Sequence, residues 1–192
     1  MSGEVAVAIV AALLVAALIA ATVVVRTRRV VATPAERAVH ATLHTAASAA
    51  RELRKGLNPE SAAAAVPHLR ALTGADGLAL YDVDATLLAH DGSISLPDAQ
   101  RAARTAITDG RRVLTGTAPA LIAQPLLPDD SDALGVLVVA GPTRPGPGLL
   151  GAVGEVARYA TGQLELAELG DSRARLDRAE VLALRAQISP HF

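Results

Sequence analysis

A chain of 192 residues with a net charge of −1 has room for one ordinary domain plus an appendage, and its charge gives no general pull toward nucleic acid. The absence of cysteine excludes disulfides, thiolate catalysis, iron–sulfur clusters and thioether-linked pigments, and it fits a reducing compartment. The only aromatic residues are Tyr81, Tyr159 and Phe192, too few to build a stacking platform for single-stranded bases, so no nucleic-acid partner is expected.

The first predicted element is a membrane anchor. Between Val5 and Val25 the only polar side chain is Thr22, and a helix of that length spans roughly 31 Å, the thickness of a bilayer core. A cleaved secretory signal is the competing reading. It would need a basic n-region and a shorter apolar run, whereas this chain starts Met-Ser-Gly-Glu4 and places its basic cluster, Arg26, Arg28 and Arg29, after the run. Positive charge on that side predicts a single-pass protein with its N-terminus outside and its body cytoplasmic, the arginines lying among anionic lipid headgroups.

A helix is predicted next from Pro34 to about Lys55, with Thr33 as N-cap and Gly56 past its end. Asn58-Pro59 opens another by the same logic, with Pro67 expected to interrupt or kink it before Thr73-Gly74. Gly77–Tyr81 and Thr86–His90 read as a β-hairpin about Asp82–Ala85, closed by Asp91-Gly92. A helix with Pro97 in its first turn follows, its face set by Ala99, Ala102, Ala103 and Ala106, and Gly110 ends it. Arg112–Thr117, Leu121–Leu126 and Leu134–Ala140 are three further strands. Beyond the Gly141–Gly148 loop no proline occurs until Pro190, which predicts a long helix carrying exposed pairs Asp171–Arg175 and Arg173–Asp177. Gly170 is a candidate for the point where a domain-capping helix becomes a connecting one. Leu169, Leu176 and Ala183 recur at seven, with Val181, Leu184 and Ile188 beside them, so homodimerisation is the natural use of this stripe. The order predicts an α+β fold: one antiparallel sheet with helices on one side of it.

Few residues offer chemistry. Glu36, His40 and His44 share one helix face and are weak metal candidates, because three ligands in a straight row converge poorly on a tetrahedral ion; a solvated stalk face explains them as well. No metal is therefore expected. Gly141–Gly148 lacks the ending of a phosphate loop, and its prolines remove the N–H donors such a loop needs. Asp76, Asp82, Asp84 and Asp91 suit turns. At the C-terminal end Pro190 disfavours helix at Ser189 and presents His191 near the start of a new turn, where a neutral imidazole is a competent nucleophile.

The run Glu180-Val-Leu-Ala-Leu184-Arg185-Ala186-Gln187-Ile188-Ser189-Pro190-His191-Phe192 resembles the start of the phosphoacceptor region in LytS/YehU-type sensor histidine kinases of two-component systems. Leu72–Leu80 and Leu87–Gly92 resemble parts of the GAF-type sensory domain found in many such kinases, and Gly162–Glu168 resembles the exit helix that leads to the histidine. The resemblance implies a domain order of anchor and basic flank (1–29), stalk helix (30–57), GAF-like sensory domain (58–148), exit helix (149–177) and the start of the dimerisation region (178–192). It implies that His191 accepts the γ-phosphoryl of ATP and passes it to a response regulator. ATP and magnesium belong to an ATP-binding domain that these residues do not include, so no cofactor is expected within this chain, and the 192 residues alone are expected to be inactive. An unknown small ligand is the expected input. The alternative reading is a non-enzymatic, membrane-tethered ligand-binding or interaction module.

Overall fold

The protein is described by a computed structural model at residues 18–19, 33–116, 119–129 and 132–188. The chain divides between Ala41 and Thr42, and the whole sheet belongs to the second part. Of the expected span Val5–Val25 only Leu18 and Ile19 are described, both helical and exposed; the rest lies outside the described residues. Among the described residues no helix is long and apolar enough to cross a membrane.

Two capping boxes start the helical segments. The Thr33 N–H donates to Glu36 Oε2 at 2.7 Å and the Glu36 N–H to Thr33 Oγ1 at 3.2 Å, opening α1 (Pro34–Leu53). Asn58 and Ser61 do the same for α2 (Pro59–Thr73), which closes on Gly74 in the left-handed region. Pro67 does not interrupt α2, contrary to expectation. It lies on the exposed face with Ala63 and Ala64, so water can satisfy the carbonyl that loses its partner.

The strands β1 (Gly77–Tyr81), β2 (Leu87–Gly92), β3 (Val113–Leu114), β4 (Ala120–Leu126) and β5 (Gly135–Gly141) form one antiparallel sheet in the order β2-β1-β5-β4-β3. β2 runs two residues further than the hairpin reading gave, because Gly92 pairs with Gly77. β3 is much shorter than Arg112–Thr117. It pairs only with Ile122 and Ala123, and Pro125 further along β4 has no N–H to offer a neighbour.

Helices cover both faces of the sheet, not one. Leu78, Leu80, Ile122, Leu126, Leu137 and Val139 pack against α1, α2 and α4 (Pro147–Ile188). Ala79, Tyr81, Leu121, Ala123, Val136, Val138 and Ala140 pack against α3 (Leu96–Asp109). The physical reason is in the central strands, where β1 and β5 are buried at every position and β4 at all but Gln124. A fully buried Leu or Val side chain contributes about 1.5–3 kcal/mol relative to exposure, so neither face can be left to water.

The long helix α4 begins at Pro147, two residues inside the loop predicted at Gly141–Gly148, and runs unbroken through Gly170 for 42 residues. Its packed part ends at Leu164, after Val153, Val156, Ala157 and Ala160; beyond it Leu166, Leu169, Leu176 and Leu182 are exposed. Tyr159 Oη donates to the Ala46 carbonyl at 2.7 Å and Arg54 Nε to Gln163 Oε1 at 3.0 Å, tying α4 to α1. The expected pairs Asp171–Arg175 and Arg173–Asp177 do not form; these side chains extend into solvent, where an ion pair gains little over hydration.

The hairpin is held by its turn. Asp82 Oδ1 accepts from the Asp84 N–H at 2.9 Å and the Thr86 N–H at 2.7 Å, which sets a tight loop over Asp82–Thr86. Ala85 within it has φ 55, and no other non-glycine among the described residues has positive φ. A side chain in that region costs on the order of 1–2 kcal/mol. At the other end of the hairpin Gly92 has φ +76, and a Cβ there would fall 2.2 Å from the Asp76 carbonyl oxygen and 3.0 Å from Gly77 Cα. Gly92→Ala is therefore expected to lower unfolding free energy by about 1–3 kcal/mol in a urea titration. Gly74→Ala shares the positive φ but meets no atom within 4 Å, and it is expected to cost clearly less; equal losses for the two would refute the steric account.

Candidate small-ligand cleft

The α3 face of the sheet is where small side chains bring a helix close. Ala99, Ala103 and Ala106 of α3 meet Ala79, Ala123, Val136, Val138 and Ala140, each with no accessible surface, so not even a water-sized void touches them. Tyr81 fills one end of this layer. Its hydroxyl donates to the Leu96 carbonyl at 3.3 Å, and burial pushes the phenol above its ordinary range. Among the described residues, room for a small ligand at this face lies at the margin of this packed layer.

At that margin lies an open cleft of about 330 Å³, lined by Ser95, Asp98, Arg101, Thr105, Thr115 and an apolar floor that includes Val113 and Leu121. Three of its polar groups, Ser95, Asp98 and Arg101, come from the start of α3. Ser95 occupies the N-cap position, but its hydroxyl bonds Asp98 Oδ2 at 2.7 Å and makes no bond to the helix backbone. Arg101, one turn on, pairs with the other carboxylate oxygen of Asp98. The Ser95 hydroxyl, and then the Arg101 guanidinium, hold the Asp98 carboxyl below its ordinary value against the opposing effect of partial burial. Across the cleft, Thr115 Oγ1 accepts from the Leu121 N–H at 2.9 Å and so keeps the end of β3 against β4.

This arrangement suits binding better than catalysis. A carboxylate held below its usual range is a weak general base, and Ser95 has no imidazole to take its proton. An exposed guanidinium, an ionised carboxylate and hydroxyls over a small apolar floor can hold a compact polar molecule bearing charge.

The residues that the sequence singled out lie elsewhere. His191 is outside the described residues. Glu36, His40 and His44 are exposed on α1, and Glu36 spends its carboxylate on the Thr33 N–H. No group of three His, Cys, Asp or Glu residues among the described residues could hold a metal ion. Sequence reasoning passed over Ser95, Asp98 and Arg101. Their one signal is the spacing Ser95-x-x-Asp98, a capping-box pattern that marks a helix start and says nothing about a cleft.

No protein-family model and no curated protein sequence matches the chain. Among solved structures, the chain is similar to the free methionine-R-sulfoxide reductase of Neisseria meningitidis in complex with its substrate, at 16% identity and a TM-score of 0.50 over 67% of this chain and 89% of that one. It is similar to the bacteriophytochrome RpBphP3 of R. palustris at 15% identity and a TM-score of 0.51, over 76% of this chain and 41% of that one. The GAF domain of an Acinetobacter phosphoenolpyruvate-protein phosphotransferase aligns at 14% identity, with a TM-score of 0.47 over 66% of this chain and 94% of that one. At these identities the likeness is one of fold. The domain is an α+β fold, a five-stranded antiparallel sheet with helices on both faces.

The lowered Asp98 value fixes the sign of a pH effect. Its contribution to stability is present above the ordinary carboxylate value of 3.8 and is lost as pH falls through the lower folded value. Urea midpoints of the native protein and Asp98→Asn are expected to differ at neutral pH and to converge below about pH 4. A constant difference down to pH 2 would show that the Asp98 charge is not responsible.

Proposed function

We propose that this chain is the membrane-anchored sensory half of a two-component sensor histidine kinase, with the GAF-like domain as its receiver of input and α4 as its output helix. The observation that carries the reading is the continuity of α4. One helix of 42 residues starts in the domain core, leaves it after Leu164 and runs to Ile188, directly before the Ser189-Pro190-His191 sequence that resembles a phosphoacceptor site. A rigid helix rises about 1.5 Å per residue, so a change of packing in the core can travel along it without passing through a hinge.

In this reading a small ligand in the α3 cleft, or a change of membrane state at the anchor, alters the packing of the domain. The exposed leucines of α4 pair with those of a second copy, and the homodimer converts the change into a rotation or register shift near His191. His191, as neutral imidazole, would attack the γ-phosphorus of ATP held with magnesium by an ATP-binding domain of a longer protein, the Pγ–O bond breaking to release ADP; the aspartate carboxylate of a response regulator would then take the phosphoryl group as the N–P bond breaks and the imidazole leaves. The span Val5–Val25 and the arginines after it put the body on the cytoplasmic side of the cell membrane.

The test uses the complete protein encoded by the reading frame to which these residues belong, in native membranes with labelled ATP and magnesium. A base-stable, acid-labile label is expected, and His191→Gln is expected to abolish it while His40→Gln and His44→Gln leave it. Absence of label, or label that survives His191→Gln, overturns the kinase reading in favour of a non-enzymatic ligand-binding module.

A further inference from the structure

The β1–β2 turn lies between the two halves of the proposed signalling path, bonded to one and bordering a cleft shared with the other. On its α3 side, the Ala85 carbonyl accepts from Gln100 Nε2 at 3.0 Å. Gln100 sits on α3 between Asp98 and Arg101 of the ligand cleft. Ala85 is buried in the α3-side core at φ 55, a conformation that an alanine holds only where its surroundings impose it. On the opposite side of the same turn, Asp82 and Val83 border a second cleft of about 380 Å³, whose far wall is Leu164 and Glu168 of α4. Leu164 is the last buried side chain of α4 among the described residues, and Val83 is 49% exposed. The turn therefore faces the base of the output helix across free space and is not wedged against it.

We propose that the Asp82–Thr86 turn is a mechanical relay: movement of α3 is transmitted through the Gln100–Ala85 hydrogen bond and appears as opening or closing of the turn against Leu164–Glu168. Asp82 makes the relay stiff. Its carboxylate holds the Asp84 and Thr86 amides, and its own N–H donates to the Thr86 carbonyl at 3.1 Å, so the loop moves as a unit. Gln100 is a positioning residue in this scheme, since it acts on α4 only through the turn. The consequence for phosphotransfer rests on the reading of α4 as the output helix, whereas the motion itself does not.

The chain has no cysteine, so two introduced thiols can be labelled without removing any native one. Nitroxides at Val83→Cys and Glu168→Cys report the width of the cleft by pulsed electron spin resonance, in the full chain reconstituted in lipid. Adding Gln100→Ala is expected to shift or broaden the distance distribution. It is also expected to speed hydrogen exchange at the Ala85 and Thr86 amides about two- to tenfold, the effect of losing one hydrogen bond. Gln100→Glu, which keeps the side-chain length but cannot donate when ionised, is expected to act in the same direction and serves if the alanine variant folds poorly. A distance distribution unchanged by both substitutions, or faster exchange confined to the turn with the label distance unaltered, overturns the relay. Histidine phosphorylation is read separately, so a shifted distance without phosphorylation would retain the relay and reject the kinase.

Discussion

Three adjacent strands, β1, β5 and β4, present apolar side chains to both faces of the sheet, and this double burial is the constraint on which the domain depends. Each face needs its own cover, one built from larger side chains (the thick face) and one mainly from alanine (the thin face). On one side Leu, Val and Ile of the strands meet leucines and valines of α1, α2 and α4. On the other, alanines of α3 lie directly against a sheet surface that is itself partly alanine. Contact there is made by small buried side chains packed without accessible surface, and dispersion among them does the work that larger residues do opposite.

That asymmetry assigns the two faces different mechanical characters. The thick face contains α4, held by a row of buried side chains from Val153 to Leu164 and by the Tyr159 and Arg54 hydrogen bonds to and from α1. It is suited to transmit a displacement. On the α3 side the facing alanines and valines have no accessible surface, and the open cleft lined by Ser95, Asp98 and Arg101 lies at the margin of that layer. The β1–β2 turn lies where these layers meet. Its strain at Ala85 persists because the Asp82 carboxylate, the Gln100 amide and the buried alanine methyl all fix it at once.

Much of the fold was legible before any coordinates. Helix starts at Thr33-Pro34 and Asn58-Pro59, stops at Gly74 and Gly110, and the alternation of strand and turn are local signals, written in the φ preferences of proline and glycine and in side chains that cap amides. The alanine face of α3 was also visible as a period, although its partner was not. Misreadings fall where a local rule met a non-local fact. Pro67 carries the local signal of an interruption or a kink, and α2 is not interrupted there because the exposed helix face tolerates it. Arg112–Thr117 has the local pattern of a full strand, but β3 pairs at only two positions, and beyond them Leu121 meets the Thr115 amide and hydroxyl in place of a continued ladder. The ligand cleft was not legible, since Thr115 and Arg101 are joined only by folding.

The sequence by itself determined the α+β class, the element order and the unbroken length of α4, because each follows from backbone preferences and periodicity within a window of a few turns. The terminal motif at His191 is likewise a property of the sequence. Tertiary structure alone decided that helices cover both faces, that α3 seals one of them, and that the Asp82–Thr86 turn faces α4 across a cleft. These depend on which surfaces meet after the strands have paired. The continuous apolar runs of β1 and β5 are compatible with burial on both faces, but a short run of that kind does not by itself separate a strand from a buried helical segment or say which helices cover it, and only the packed sheet decides that.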